Sequence, residues 1–380
     1  MEIMKASHQW ASRPADERYW NLADLYTATK AHREAATTST VKIADLRVET
    51  VSENIQLVGR TGVPAEITHF AFAQLAARAG APASYLRDLP ATLACQNLNY
   101  GLKRRAAEEP GAEAKLLLHR NGGFYARAIT SDRYTRIWNY SIIERLLGLE
   151  IHGWKTPPAR PAEPGSGNTR IATAADAALS LTVREGDTIG PAGLYASFED
   201  LFVFQVHPER IIRDGSEGGL MRGFLLWNSE VGKSTFGVMS FLLRGCCGNH
   251  IIWNASEVAE LRLRHVGSAD ERAFAGLDVE LRKYADESAV ETEGKILAAR
   301  NFILKGKTVD DVLDVVFSAK ILSRKTALQA YESVVPEEDG DPYTAWGYAQ
   351  GITRLSQRAQ NADVRVELDR AAGKVLELAF

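Results

Sequence analysis

The sequence has few cysteines, no long apolar run and almost no net charge. Its three cysteines, Cys95, Cys246 and Cys247, are too few for a disulfide framework, so we expect a reducing compartment. No stretch approaches the length of a membrane span, and the N-terminus lacks the apolar centre of a signal peptide. The net charge of −3 excludes a protein that coats nucleic acid over its whole surface. We therefore expect a cytoplasmic protein without a membrane partner, in which any polyanion site is local.

Common catalytic and metal-binding motifs are missing as well. No serine lies in a G-x-S-x-G elbow, and no strand is followed by G-x-G-x-x-G. The segment from Cys246 to His250 lacks the second ligand pair of a structural zinc site, and buried thiols at a strand end explain it better. The sequence therefore predicts no metal, no cofactor and no identifiable catalytic residue.

The string Gly232-Lys233-Ser234 resembles the end of a phosphate-binding loop. That loop needs a glycine where this chain has Trp227, and a helix should follow the lysine. Here a strand-like apolar run follows. The pattern favours a hairpin turn with an exposed lysine.

What the sequence does contain is typical of a folded protein of about two to three domains. Hydrophobic residues make up 45% of the chain, enough for a sizeable core. Thr68 and Gly80 bound one predicted helix, and a second follows over 91–106. Asn121-Gly122 between two apolar runs predicts a β-hairpin, and a helix should follow it and end at Gly148.

Short apolar segments separated by Gly, Asp and Ser indicate strands at 170–183, 194–207, 220–228, 234–244 and 249–253, too close together for crossover helices. From Ser268 onward helical patterns replace them, with a final helix near Tyr343. The sequence thus predicts an α+β fold, an antiparallel sheet core with flanking helices and a helical C-terminal region. The predicted regions are an N-terminal arm and helices (1–60), an α+β core (61–267) with a proline- and glycine-rich loop (156–168), and C-terminal helices (268–380).

One block of the chain is more basic than the rest. Between residues 101 and 170, twelve basic side chains stand against seven acidic ones. Tyrosines and tryptophans alternate with them, and proteins hold single-stranded nucleic acid with cations on phosphates and rings on bases. Solvated arginines and core rings are the simpler alternative. The residues predicted here to bind nucleic acid are Lys103, Arg104, Arg105, Arg120, Tyr125, Arg127, Arg133, Tyr134 and Arg136.

A second basic run contains Arg262 and Arg264 and alternates charge with leucine. It could form a strand or helix edge on the same face, so both arginines are added to the predicted site. Surface salt bridges to Glu257 and Glu260 are the alternative.

Several strings, taken in order, point to a family. They are Arg13–Trp20, Ala83–Arg87, Asn97–Asn99, Ala128–Tyr134, Asn228–Gly232, Leu242–Asn249, Leu263–His265 and Thr344–Gly347. Together they resemble the phage- and plasmid-associated family known as domain of unknown function 932, over nearly the whole chain. The resemblance implies a protein encoded by mobile elements in a bacterial host, with no known cofactor. In that family the Asn228–Gly232 string resembles a β-turn feature.

The strand–strand–helix order with a basic hairpin also resembles, by fold analogy, the Rad52-type single-strand annealing proteins. We therefore interpret the chain as a homo-oligomeric protein that binds single-stranded DNA, and as a candidate annealing recombinase. Two alternatives stay open. One is a structural or host-interaction oligomer without nucleic acid, and the other is a nucleotide-processing enzyme that uses the Gly232-Lys233 turn or the Cys246/His250 region.

Overall fold

A computed structural model describes residues 14–59, 64–120, 122–157, 159–162, 165, 167–179, 183–215, 219–244, 250–251, 261–286, 288–306, 308–359 and 362–380. Within these ranges two large sheets, a small third sheet and a set of helices form the α+β fold that the sequence predicts. The first sheet has the strand order β1-β5-β6-β4-β3-β2, in which only the β4–β6 pair is parallel. Its strands are β1 (Ala36–Lys42), β2 (Arg47–Val51), β3 (Asn54–Val58), β4 (Pro64–Ile67), β5 (Glu113–Arg120) and β6 (Phe124–Ser131).

The second sheet is antiparallel, with the order β10-β11-β12-β13-β14, and β15 pairs with the other half of β13. A small third sheet has the order β7-β9-β8. These strands are β7 (Arg160–Pro161), β8 (Arg170–Ile171), β9 (Thr188–Gly190), β10 (Leu194–Ala196), β11 (Leu201–Ile212), β12 (Leu220–Asn228), β13 (Phe236–Arg244), β14 (His250–Ile251) and β15 (Leu261–Leu263).

The helices cover the sheets and form most of the C-terminal region. They are α1 (Leu22–Glu34), α2 (His69–Ala79), α3 (Ala83–Asp88), α4 (Ala91–Glu108), α5 (Asn139–Leu149), α6 (Ala174–Leu179), α7 (Ala269–Asp286), α8 (Ala289–Asn301), α9 (Val309–Ser318), α10 (Arg324–Glu332), α11 (Pro336–Asp339), α12 (Ala345–Gln357) and α13 (Ala362–Glu377).

Helices α2 and α4 bury one face of the first sheet. Phe72 and Leu98 pack there against Leu116 of β5, and all three side chains are at most 3% exposed. Helix α2 begins and ends where the sequence predicts. The Thr68 hydroxyl accepts a hydrogen bond from Ala71 N at 3.3 Å, and Gly80 adopts φ +69°, which glycine tolerates best.

The two faces of the second sheet have different neighbours. Side chains that alternate along a strand point to opposite faces. Val203, Leu226 and Val238 point inward and pack with α1, α5 and α7. Leu225 and Met239 point to the outer face, where part of α13 covers them.

Helices α8 to α13 pack on the far end of the second sheet around Trp346 and Tyr348. A buried ion network joins the two parts. The Arg244 guanidinium, with no exposed surface, donates to Asp214 at 3.0 Å and to Asp339 at 2.9 Å. Its third nitrogen donates to the Glu338 carbonyl at 2.6 Å.

Several predicted elements are confirmed, among them the hairpin β5–β6, although Asn121 lies outside the described residues. The end of α5 at Gly148 is wrong, because the chain continues through a 3₁₀ turn to Gly153, which has φ +91°. The strand predicted over 170–183 is also wrong beyond Ile171, since the alanine-rich segment that follows forms α6.

The predicted N-terminal arm instead contributes to the core. The Thr/Ser run after residue 36 forms β1, which pairs with β5 along its whole length, because β-branched threonine suits a strand. Strands β2 and β3 belong to the same sheet, so the boundary predicted at residue 60 falls between strands of one sheet. The single helix expected near Tyr343 is in fact two, α12 and α13.

Arg244→Met should lower the free energy of unfolding by about 3–5 kcal/mol, because it removes a buried cation that pairs with two buried carboxylates, Asp214 and Asp339. Urea denaturation measures this. Arg324→Met is the matched control: its side chain, 53% exposed, pairs with Asp310 and Asp314 at the surface, and solvent screening should make its loss much less costly than the loss of Arg244. Equal losses for the two variants would contradict the structural role of Arg244.

Candidate nucleic-acid interface

A row of four residues crosses the outer face of the second sheet. Phe202 lies opposite Trp227, Trp227 opposite Gly237, and Gly237 opposite Arg262, each on the neighbouring strand. Directly opposite residues share a face of the sheet. The row therefore places two aromatic rings, a residue without a side chain and a guanidinium side by side.

Gly237 makes this arrangement possible. A Cβ atom at this position would lie 2.1 Å from the Trp227 ring, so the indole lies directly over the backbone of β13. The Arg262 guanidinium lies 5.8 Å from the centroid of the same ring, a cation–π contact. Neither Phe202 nor Trp227 is fully buried. The result is an aromatic platform beside a cation.

An open groove of about 480 Å³ runs between this row and α13. Leu225 and Met239 form its apolar floor, and Arg370 of α13 lies on the opposite wall. The groove also has acidic members, Asp200 and the exposed Glu367. Its shape and lining suit a flat apolar ring with an anionic substituent.

The β12–β13 turn, residues 229–235, lies at one end of the groove. It is a turn, as predicted, and Gly232 adopts φ +84°. The predicted exposure of the lysine is wrong. The Lys233 side chain is 10% exposed, and its ammonium lies 2.7 Å from Glu199 and 3.4 Å from Asp200. Both carboxylates are buried and hold the lysine in place.

The same turn reaches into the junction between the two sheets. Glu230, 2% exposed, accepts from Arg127 of β6 at 3.1 Å and from the Asn139 backbone at the start of α5 at 2.9 Å. Arg127 is 1% exposed and also donates to the Phe198 carbonyl at 2.6 Å. Arg127 therefore does not lie on the open basic surface that the sequence predicts, because it is buried and paired at the junction.

Tyr134 is also enclosed rather than open for stacking on a base. Its hydroxyl donates to the Ser229 carbonyl at 2.9 Å, and its ring stacks on His265 at 5.0 Å between centroids. Burial raises the pKa of the Tyr134 hydroxyl above its usual value. Arg136 lies over the Tyr134 ring at 5.3 Å and is partly buried.

The remaining predicted residues occupy separate surfaces. Arg120 and Tyr125 flank the hairpin loop, and Arg133 is exposed just after β6. Arg264 is exposed next to β15. The exposed group on α4 consists of Lys103, Arg104 and Arg105.

That group lies across the first sheet from Arg127, since α4 packs on the face opposite to the junction. Arg104 and Arg105 pair with Glu108 and Glu109 at 3.6 and 2.9 Å. The single basic face expected from the sequence is thus divided. Only Arg262 of the predicted residues lines the groove.

The two rings of the groove and the cations Arg33 and Arg370 were not predicted from the sequence. Trp227 and Phe202 lie in strands that read as ordinary core, and Gly237 gave no signal. Arg33 and Trp138, which meet at 4.2 Å in the junction, are 105 positions apart in the printed sequence. Knowledge of the strand register would have revealed the row on the sheet. The register depends on how distant strands pair in the folded protein, which the sequence does not state locally.

Some expectations lie outside the described residues, namely those for Cys246, Cys247, Glu257 and Glu260, while Cys95 is buried in α4. Among the residues that the structure describes, no group of three or more His, Cys, Asp or Glu could hold a metal ion. Within the same residues, no helix is both long and apolar enough to cross a membrane.

The chain matches no protein-family model, no curated protein and no solved structure. The resemblance to the mobile-element family therefore stays a prediction.

The junction should make stability depend on pH. His119 is 1% exposed, and burial, with a further contribution from nearby Arg127, lowers its pKa to about 4. In an unfolded chain the pKa of histidine is about 6.5. Between about pH 4 and 6.5 the unfolded chain binds more protons than the folded chain, so the free energy of unfolding should fall as the pH drops from 6.5 towards 4.

His119→Phe should reduce this acid-dependent loss by up to about 1.4 kcal/mol per pH unit, the effect of one proton. Urea denaturation at a series of pH values gives the slope of the free energy of unfolding against pH. A substitution that destabilises the fold equally at every pH leaves this slope unchanged. His152→Phe, at an exposed position, is the control and should keep the slope. An unchanged slope in His119→Phe would show that His119 does not contribute to the acid-dependent loss, which would then come from other histidines whose pKa is lowered, such as His32 and His265.

Proposed function

We propose that this protein binds single-stranded DNA in the groove on the outer face of the second sheet. The observation that supports this most directly is the row Phe202–Trp227–Gly237–Arg262, with two incompletely buried rings next to a guanidinium. Rings of this kind stack on unpaired bases without regard to sequence, and an adjacent arginine neutralises phosphate.

The geometry favours a single strand over a duplex. A duplex hides the flat faces of its bases, whereas a single strand can turn them onto an aromatic platform. Gly237 lets the Trp227 indole lie close to the sheet, so a base would stack on the side that faces the groove. Phe202, on the adjoining strand, is positioned for a neighbouring base.

Charge in the groove points to moderate affinity. Arg262 and Arg370 contribute two positive charges to the groove. The charge of Lys233 is balanced by buried carboxylates, and the negative charge of Glu367 reduces the positive potential. Lys103 and Arg104, exposed on α4 beside the 72%-exposed Tyr100, form a separate basic surface, which is the alternative position for the strand. Surface ion pairs such as Arg104–Glu108 contribute little, so phosphate can replace them.

The proposal also includes annealing, the role that the fold analogy to Rad52-type proteins implies. A protein of a phage or plasmid that binds single strands and assembles with copies of itself could anneal complementary strands. A mass measurement in solution, with and without an oligonucleotide, tests the assembly. Annealing of complementary fluorescent oligonucleotides tests the activity.

Trp227→Ala should weaken binding of a fluorescent 40-nucleotide single strand by an amount equivalent to about 1–3 kcal/mol, because one base loses its stacking partner. Trp227→Phe should retain most of the affinity.

Arg262→Ala should weaken binding and lower the slope of log K against log salt by about 0.7, the share of one phosphate contact. Fluorescence anisotropy at several salt concentrations measures both.

Lys325→Ala is the matched control for Arg262→Ala, because it removes an exposed cation from α10 in the helical region. It should leave both affinity and salt slope unchanged. Undetectable binding by the unmodified protein at low salt would exclude the function. Binding that survives Trp227→Ala and Arg262→Ala, but not the pair Lys103→Ala and Arg104→Ala, would move the site to α4.

A further inference from the structure

Three arginines act on one another at the junction between the sheets, since the charges of Arg127 and Arg33 both lower the pKa of Arg136. Among the described residues, Arg127 is the one of the three that pairs with a carboxylate. Arg33, near the end of α1, lies 4.2 Å from the centroid of the Trp138 ring. Arg136 lies 5.6 Å from the centroid of the same ring. In the described part of the chain, no carboxylate lies within ion-pair distance of Arg33 or Arg136.

Glu230 supplies one negative charge for three arginines, and its charge acts on Arg136 as well as on Arg127. One of its oxygens accepts from Arg127, and the other accepts from the Asn139 backbone at the start of α5. Asp16 is close enough for its charge to raise the pKa of His32, but Asp16 is exposed to solvent. The cluster therefore has an excess of positive charge at a largely buried position.

Two guanidinium nitrogens in the cluster have no hydrogen-bond partner among the described residues. They are the Nη1 atoms of Arg127 and Arg136, and both are buried. Arg127 as a whole is 1% exposed. Burial, together with the positive charges of Arg127 and Arg33, lowers the pKa of Arg136 to about 10. A buried charged donor without an acceptor is costly, so these groups favour an anion between them.

We propose that Arg33, Arg127 and Arg136 form a binding site for a phosphate-type oxyanion at the junction of the two sheets. A tetrahedral dianion supplies several acceptor oxygens, and guanidinium groups match them with paired N–H donors. The surrounding rings fix these groups in advance. Arg33 and Arg136 stack on Trp138, and Arg127 lies over Phe198 at 5.2 Å.

The oxyanion could be inorganic phosphate or the terminal phosphate of a nucleic acid strand, since both offer the same group. The site does not depend on the groove. Trp227 and Arg262 contribute nothing to it, so the two proposals can fail separately.

The first experiment is thermal unfolding of the full chain with increasing inorganic phosphate, against chloride at matched ionic strength to remove general salt effects. Phosphate should raise the melting temperature with the logarithm of its concentration. Arg136→Gln and Arg33→Gln should lose this rise, and Arg136→Lys should keep part of it. Arg264→Gln, which removes an exposed arginine outside the cluster, and Trp227→Ala should both keep it.

A melting temperature that rises no more in phosphate than in chloride would overturn the site. So would an equal phosphate-dependent rise in the unmodified protein and in Arg136→Gln. Should Arg136→Gln not fold, Arg33→Gln gives the same comparison at the partly exposed end of the cluster.

A second experiment distinguishes the two sources. Oligonucleotides with a 5′-phosphate or a 5′-hydroxyl are compared for binding to the unmodified protein and to Arg136→Gln. A preference for the phosphorylated end that disappears in the variant assigns the site to strand ends. Equal binding of the two oligonucleotides, together with a phosphate-dependent melting shift, assigns it to the free ion.

Discussion

The pairing of Glu230 with Arg127 holds the two sheets of this protein together. Glu230 is in the β12–β13 turn of the second sheet, and Arg127 is in β6 of the first. A carboxylate at this depth requires a charged partner and further hydrogen bonds, and the α5 backbone at Asn139 provides one. Since both charges are almost completely buried, the turn has little freedom to move relative to the first sheet.

The rest of the turn strengthens this connection. Asn228 donates to the Ile137 carbonyl at 2.9 Å, and the Ser229 hydroxyl donates to the Glu199 carbonyl at 2.6 Å. Val231 is fully buried, and its carbonyl accepts from Gln74 of α2 at 2.8 Å. The turn that contains the string resembling a phosphate-binding loop thus forms a structural connection between two sheets, through the residues that precede Gly232. The fixed turn also orients Lys233 at one end of the groove and the arginine cluster at the junction.

Local sequence patterns predicted much of the fold. The cap at Thr68, the glycine at position 80 and the Asn-Gly hairpin are local signals, because a few neighbouring residues determine the backbone conformation. The candidate site was much less predictable. Arg127 and Tyr134 stand in a basic, aromatic block whose composition suggested an open surface. Their burial depends on Phe198 and on the β12–β13 turn, which lie far away in the chain.

The sequence by itself determined the α+β class, the helical C-terminal region, the hairpin and the absence of a large net charge. Those properties follow from composition and short-range periodicity. Only the tertiary structure decided which charges are paired and which rings remain open. The register of four strands brings Phe202, Trp227 and Arg262 together over Gly237. No local pattern contains this information, because pairing between distant strands depends on the packing of the whole sheet.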